Sequence, residues 1–142
     1  MNGKQLTKKE HIARYCNPRS VSGDKILPIA FTLRPKKNGK PAEKNLSVFW
    51  IEFFSGSIQS QIKKTINAIG KFLNLKGGKV ARLNIGKTID YVKKESSDKR
   101  LLSIWLDSNP SSPSHTSIKG LRQEDNEIAT LISETIIDTF EP

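Results

Sequence analysis

The chain has 142 residues, with 24 Lys and Arg against 14 Asp and Glu, a formal charge of +10 at neutral pH, and a hydrophobic fraction of 35%. That length supports one domain with a core of its own, and the clustering of its apolar residues excludes a disordered chain. A single cysteine, Cys16, excludes an internal disulfide, and without an apolar leader or a spanning apolar run the expectation is a cytoplasmic protein with no membrane contact.

The charge is uneven. Residues 1–100 hold 22 basic and 7 acidic side chains, whereas residues 101–142 hold 2 and 7. Such a basic body attracts nucleic acid or an acidic protein surface, and the acidic end either packs on that body or faces a partner of its own.

In chain order, residues 1–5 are expected to be loose. Thr7 followed by Glu10 has the spacing of a capping box, which predicts a short helix from Lys8 to about Tyr15, ended by Pro18. On such a helix His11 and Tyr15 share a face, and Arg14 joins His11. Cys16 beside Arg14 and near His11 has the cationic neighbours that a reactive thiolate needs. The preferred alternative is a buried structural cysteine beside a hydrogen-bonded tyrosine.

A strand is predicted over Ile26 to Leu33. The insert 35–45 carries Lys36, Lys37 and Lys40 around an Asn38-Gly39 turn, and reads as an exposed basic hairpin loop into the next strand. That next strand, Leu46 to Phe54, is the most apolar run in the chain and is placed at the centre of the sheet. Its oddity is Glu52, a carboxylate on the Trp50 face that is either at a wet strand end or buried and paired.

Ser55 or Ser57 caps a helix to about Leu75, with Ile58, Ile62, Ile66, Ile69 and Leu73 on one stripe and Lys63, Lys64 and Lys71 mostly off it. Gly77 and Gly78, between Lys76 and Lys79, supply the turn that ends it. Neither this turn nor Ile85-Gly86-Lys87-Thr88 is a phosphate-binding loop: the first follows a helix, and the second has Ala81 where the leading glycine belongs. Val80 to Ile85 alternates as a strand, Thr88 caps a short helix through Glu95, and Leu101 to Leu106 forms a fourth strand. A polar Pro/Ser loop over 107–120 holds His115 and is a second place to look for function. A last helix from Glu124 aligns Ile128, Leu131, Ile132, Ile136 and Phe140.

The elements together predict a single-domain mixed α/β protein of the α+β class, with a sheet of about four strands, its central strand near 46–53, packed by two longer helices. The stretches His11-Ile12-Ala13-Arg14-Tyr15-Cys16, Ala30-Phe31-Thr32-Leu33-Arg34, Leu46-Ser47-Val48-Phe49-Trp50 and Pro113-Ser114-His115 together resemble a group of small uncharacterised bacterial proteins. The resemblance spans most of the chain and implies no activity; it implies a bacterial cytoplasmic protein acting beside the products of neighbouring genes in its operon.

Two functions of different class follow. The preferred one is an accessory or binding protein whose Lys36, Lys37, Lys40, Lys63, Lys64, Lys71, Lys76 and Lys79 contact nucleic acid or an acidic protein of the same operon. The alternative is an enzyme for hydrolysis or group transfer in which His11, Tyr15 or Cys16, Glu52 and His115 converge, with Zn2+ on His11, Cys16 and His115 as a variant of it whose spacing matches no zinc signature. No cofactor motif is present.

Overall fold

The computed structural model describes residues 3–142, which form one α+β domain. The strands of its main sheet are β1 (His11–Cys16), β4 (Leu46–Trp50), β5 (Lys79–Asn84), β6 (Ser103–Leu106), β7 (His115–Lys119) and β8 (Asp138–Phe140). These six lie in the order β6-β7-β4-β1-β5-β8, every neighbouring pair antiparallel. A separate two-stranded ribbon pairs β2 (Val21–Ser22) with β3 (Lys25–Ile26). Three helices complete the fold: α1 (Ile58–Gly70), α2 (Ile85–Glu95) and α3 (Asn126–Ser133).

Alternation along β1 sends side chains to two covered faces. Ile12 and Cys16 join Leu46, Val48, Ala81 and Leu83 in the main core with α2 and α3, where Ile85, Val92, Ile128 and Ile132 are fully buried. Ala13 faces the other way, into a smaller cluster with Ile51 and Val80 against Ile66 of α1. Strand β4 lies inside the sheet between β7 and β1, in keeping with its apolar sequence.

Several elements differ from the sequence expectation, each for a tertiary reason. Thr7 and Glu10 do make the predicted contact, with the Thr7 N–H donating to Glu10 Oε2 at 2.6 Å. No helix follows, because residues 11–16 pair with β5 along their whole length, from His11 opposite Asn84 to Cys16 opposite Lys79. A helix of that size is marginal alone, and the ladder outweighs the cap. The strand expected over 26–33 is β3 followed by a 3-10 turn, Pro28–Phe31, with Pro28 in its first turn and Phe31 fully buried beneath α3. The Asn38-Gly39 turn is where expected, closed by reciprocal Lys37 and Lys40 backbone bonds with Gly39 at φ +75. It does not join β3 to β4 in a hairpin, since β4 pairs with β7 and β1.

The central strand stops at Trp50, and Ile51–Phe53 turns through a 3-10 helix. Helix α2 begins at Ile85, capped by Asn84, whose side chain accepts the Lys87 N–H. Thr88, expected as its cap, is buried and bonded to Thr135 at 2.8 Å. Helix α1 ends at Gly70 and α3 at Ser133, so Ile136 and Phe140 lie beyond the last helix, which gives way to β8 on the free edge of β5. The polar loop after β6 is shorter than expected, because His115 already belongs to β7. Of residues 1–5, Met1 and Asn2 lie outside the described residues, and Gly3 to Gln5 run beside β6, with the Leu106 N–H donating to the Lys4 carbonyl at 2.8 Å.

The acidic end of the chain packs on the basic body. Arg82 and Asp138 form a bidentate pair at 2.8 Å for both bonds, and Lys79 pairs with Glu141.

Candidate functional site

The residues named from sequence separate into two histidine sites and a cysteine that belongs to neither. In strand geometry His11, Ala13 and Tyr15 share the α1 face of the sheet, while Cys16 lies on the other. His11 Nδ1 is 2.6 Å from Glu52 Oε2, and its backbone N–H donates to Glu52 Oε1 at 2.7 Å. The turn after Trp50 is what swings Glu52 back onto His11. Tyr15 donates its hydroxyl to the Asn74 carbonyl at 3.2 Å, and burial, then the nearby Cys16, raise its pKa.

Cys16 is 1% exposed, and burial pushes its thiol up to about 11 against the opposing pull of Arg14. A nucleophilic thiol needs the reverse: exposure and a lowered pKa. Cys16 is therefore a core residue, and a site formed by Cys16 with His11 and His115 is excluded by the sheet between them. Among the described residues no group of three His, Cys, Asp or Glu side chains is placed to hold a metal ion.

His115 stands opposite Phe49 at the start of β7 and reaches diagonally to Ser47 of β4, with Nε2 3.0 Å from Ser47 Oγ. Its Nδ1 is 3.1 Å from the Asp107 carbonyl and 3.6 Å from the Asp107 carboxylate. The loop between β6 and β7 is built for this contact. Asn109 and Ser112 close a tight turn, the Asn109 side chain accepts the Ser112 N–H at 2.8 Å, and the Asp107 N–H donates to the His115 carbonyl at 2.8 Å.

Beside Ser47 the sheet opens. Pairing of β1 with β4 covers only Ile12 with Trp50 and Ala13 with Phe49. Beyond it the Arg14 guanidinium takes over, donating through Nη1 to the Ser47 carbonyl at 2.8 Å and through Nε to the Ala30 carbonyl at 2.9 Å. Burial lowers the pKa of Arg14, and Arg14 makes no ion pair among the described residues. A cleft of about 620 Å3 opens over these groups, walled by Tyr15, Phe49, Phe72 and Leu73 and by the Asn109–Ser112 turn. The sequence marks Ser47 only as a polar residue in an apolar strand, and nothing local ties it to His115, 68 positions away. Arg14 and Asp107 carry no stronger sequence signal.

The lysines fall on different elements. Lys36, Lys37 and Lys40 are exposed in the 35–45 loop. Lys63, Lys64 and Lys71 are exposed on or just after α1, with Lys76 in the turn that follows, and Lys64 donates to the Ser55 carbonyl at 3.1 Å. Lys79 is half-buried, and its bond to Glu141 raises its pKa. Residues 53–89 contain seven basic side chains and no acidic one. A shallow hollow of about 710 Å3 beside α1 is lined by Lys71 and Lys76 together with Asn67 and Glu141.

No helix among the described residues is long and apolar enough to cross a membrane. Comparison of the chain with protein-family models, with curated proteins and with solved structures finds no match in any of the three.

Proposed function

We propose that this protein is a binding module for a polyanion, nucleic acid before an acidic protein, and that α1 with the turn after it is the contact surface. One observation carries the reading: the acid-free stretch 53–89, from which Lys63, Lys64, Lys71 and Lys76 stand exposed. Within the same stretch Lys79 and Arg82 have carboxylate partners, as do Lys8, Arg100 and Arg122 outside it. These four lysines have none among the described residues, so a phosphate backbone or an acidic protein surface supplies the compensating charge.

The contact is electrostatic and reads backbone, not base edges, which fits lysine as a flexible point charge. In the bacterial cytoplasm that this reading presumes, acidic products of neighbouring genes are the competing partners. The test is a polarisation titration of the full chain with unrelated DNA and RNA oligonucleotides at about 50 mM salt, where non-specific contacts of this type reach roughly 10⁻⁴ to 10⁻⁶ M even at higher salt. Saturable binding to all of them is the expected result. No binding at tens of micromolar, on the order of that range, removes nucleic acid as the partner.

A further inference from the structure

We propose that the cleft between the Asn109–Ser112 turn and the end of α1 is a nucleophile site, in which Ser47 accepts the acyl group of an ester or thioester. This goes beyond the polyanion reading and uses none of its lysines. The position of the proton on His115 is fixed by its neighbours. Its Nδ1 faces the Asp107 carbonyl at 3.1 Å, and a carbonyl oxygen can only accept, so Nδ1 carries the hydrogen. Nε2 therefore presents a lone pair, and the Ser47 hydroxyl donates to it at 3.0 Å. That is the tautomer and the distance a serine nucleophile requires of its base. The Asp107 carboxylate, at 3.6 Å from Nδ1, is placed to stabilise an imidazolium as it forms.

Three further features line the same cleft. Arg14, half-buried and without an ion pair among the described residues, lines the cleft and bonds the carbonyl of the nucleophile's own residue, which puts a positive charge at the cleft wall. Ser112 belongs to the cleft wall, its hydroxyl buried and without a hydrogen-bond partner among the described residues. Phe72 and Leu73 stand 47% and 45% exposed at the cleft wall near Phe49, an apolar surface suited to an acyl chain or an aromatic acyl group.

The reaction balances with water as the second substrate. Ser47 Oγ bonds to the carbonyl carbon while its proton passes to His115 Nε2, and the carbonyl π pair moves onto oxygen. As that pair returns, the bond to the leaving oxygen or sulfur breaks, and the leaving group takes the proton from His115. Water then attacks the acyl-Ser47 ester by the same route, giving its proton to His115. The carboxylic acid departs as Ser47 regains its hydrogen.

The test uses the full chain and a fluorophosphonate probe, read by intact mass and peptide mapping. One adduct, on Ser47, is expected. It is lost in Ser47→Ala, and its rate of formation falls roughly 10²-fold or more in His115→Gln, the usual contribution of a general base. No adduct on the native chain, an adduct elsewhere, or a rate indifferent to His115→Gln overturns the proposal and leaves the Ser47–His115 bond a purely structural one. Because the wild-type measurement decides the matter, a variant that fails to fold does not obscure it. Nucleic-acid binding is scored separately, so either reading can fail without the other.

Discussion

Glu52 accepts two hydrogen bonds from one residue, the backbone N–H of His11 at 2.7 Å and its ring at 2.6 Å. The carboxylate thereby ties the turn after β4 to the first residue of β1, where the β1–β4 ladder has already ended at Ile12. Removing the acceptor strands both donors, whereas removing the imidazole strands only one oxygen. Glu52→Ala is expected to cost about 1–3 kcal/mol and His11→Ala less, on the scale of half-buried bonds to charged groups. Thermal melts of the two variants check this ordering; equal losses would show that the carboxylate does not hold the strand.

Cys16 makes a pH-dependent contribution whose sign is fixed by its burial. The folded thiol keeps its proton to about pH 11, against an ordinary value of 9.0. Below the ordinary value the two states bind the same proton, and the contribution is whole. Between the two values the unfolded chain ionises and the folded one does not, so stability falls as pH rises, by up to about 3 kcal/mol in all. Urea unfolding at pH 8 and near pH 10.5 is expected to show a larger loss for the native chain than for Cys16→Ala, by about 2 kcal/mol. Parallel losses would mean that the thiol is not the group that titrates. Alkylation of the native protein at pH 7 is expected to be slow for the same reason.

Phe31 is held by a 3-10 turn and is 0% exposed, in the core shared by the sheet and α3. Trp50, in the most apolar run of the chain, is only partly buried. Truncating Phe31 to Ala is expected to cost about 3–5 kcal/mol, more than the same change at Trp50. Denaturant midpoints for the two variants decide it, and a larger loss at Trp50 would contradict the placement of the core.

The residues whose local signals mislead show where such signals stop being decisive. Leu46 to Trp50 is legible because both its faces are apolar, as a strand inside a sheet requires. Helix α1 is legible from its isoleucine spacing. Residues 11–16 are not, because their capping box is real and forms, and only the β5 partner, more than sixty positions on, makes them a strand. β7 is hidden for a different reason: its His115, Thr116, Ser117 composition reads as loop, yet Thr116, Ser117 and Ile118 are buried by β4 and β6. The cleft inherits both difficulties. Its histidine sits on the strand with no apolar signature, and its serine and arginine sit where β4 and β1 part, a feature set by pairing and not by any run of residues.

The lysines are distinguished by their surroundings, and salt dependence reads the distinction. If Lys63, Lys64, Lys71 and Lys76 each neutralise a phosphate, log K against log salt falls with a slope of about −3 to −4, slightly shallower on single strands. Charge reversal at Lys71 and Lys76 is expected to weaken binding to unrelated sequences alike and to flatten that slope by about one for each lysine reversed. Lys79→Glu is the informative contrast. Its ammonium is already held by Glu141, so its part in counterion release is small, and reversal there acts on the fold through the broken pair and not on the salt slope. Lys36, Lys37 and Lys40 lie on a separate exposed turn, and their reversal distinguishes a contact surface on α1 from one on the loop. A slope that responds to the loop lysines and ignores those of α1 would move the interface to residues 35–45; a slope that responds to neither would show that binding, if it occurs, is not driven by these charges.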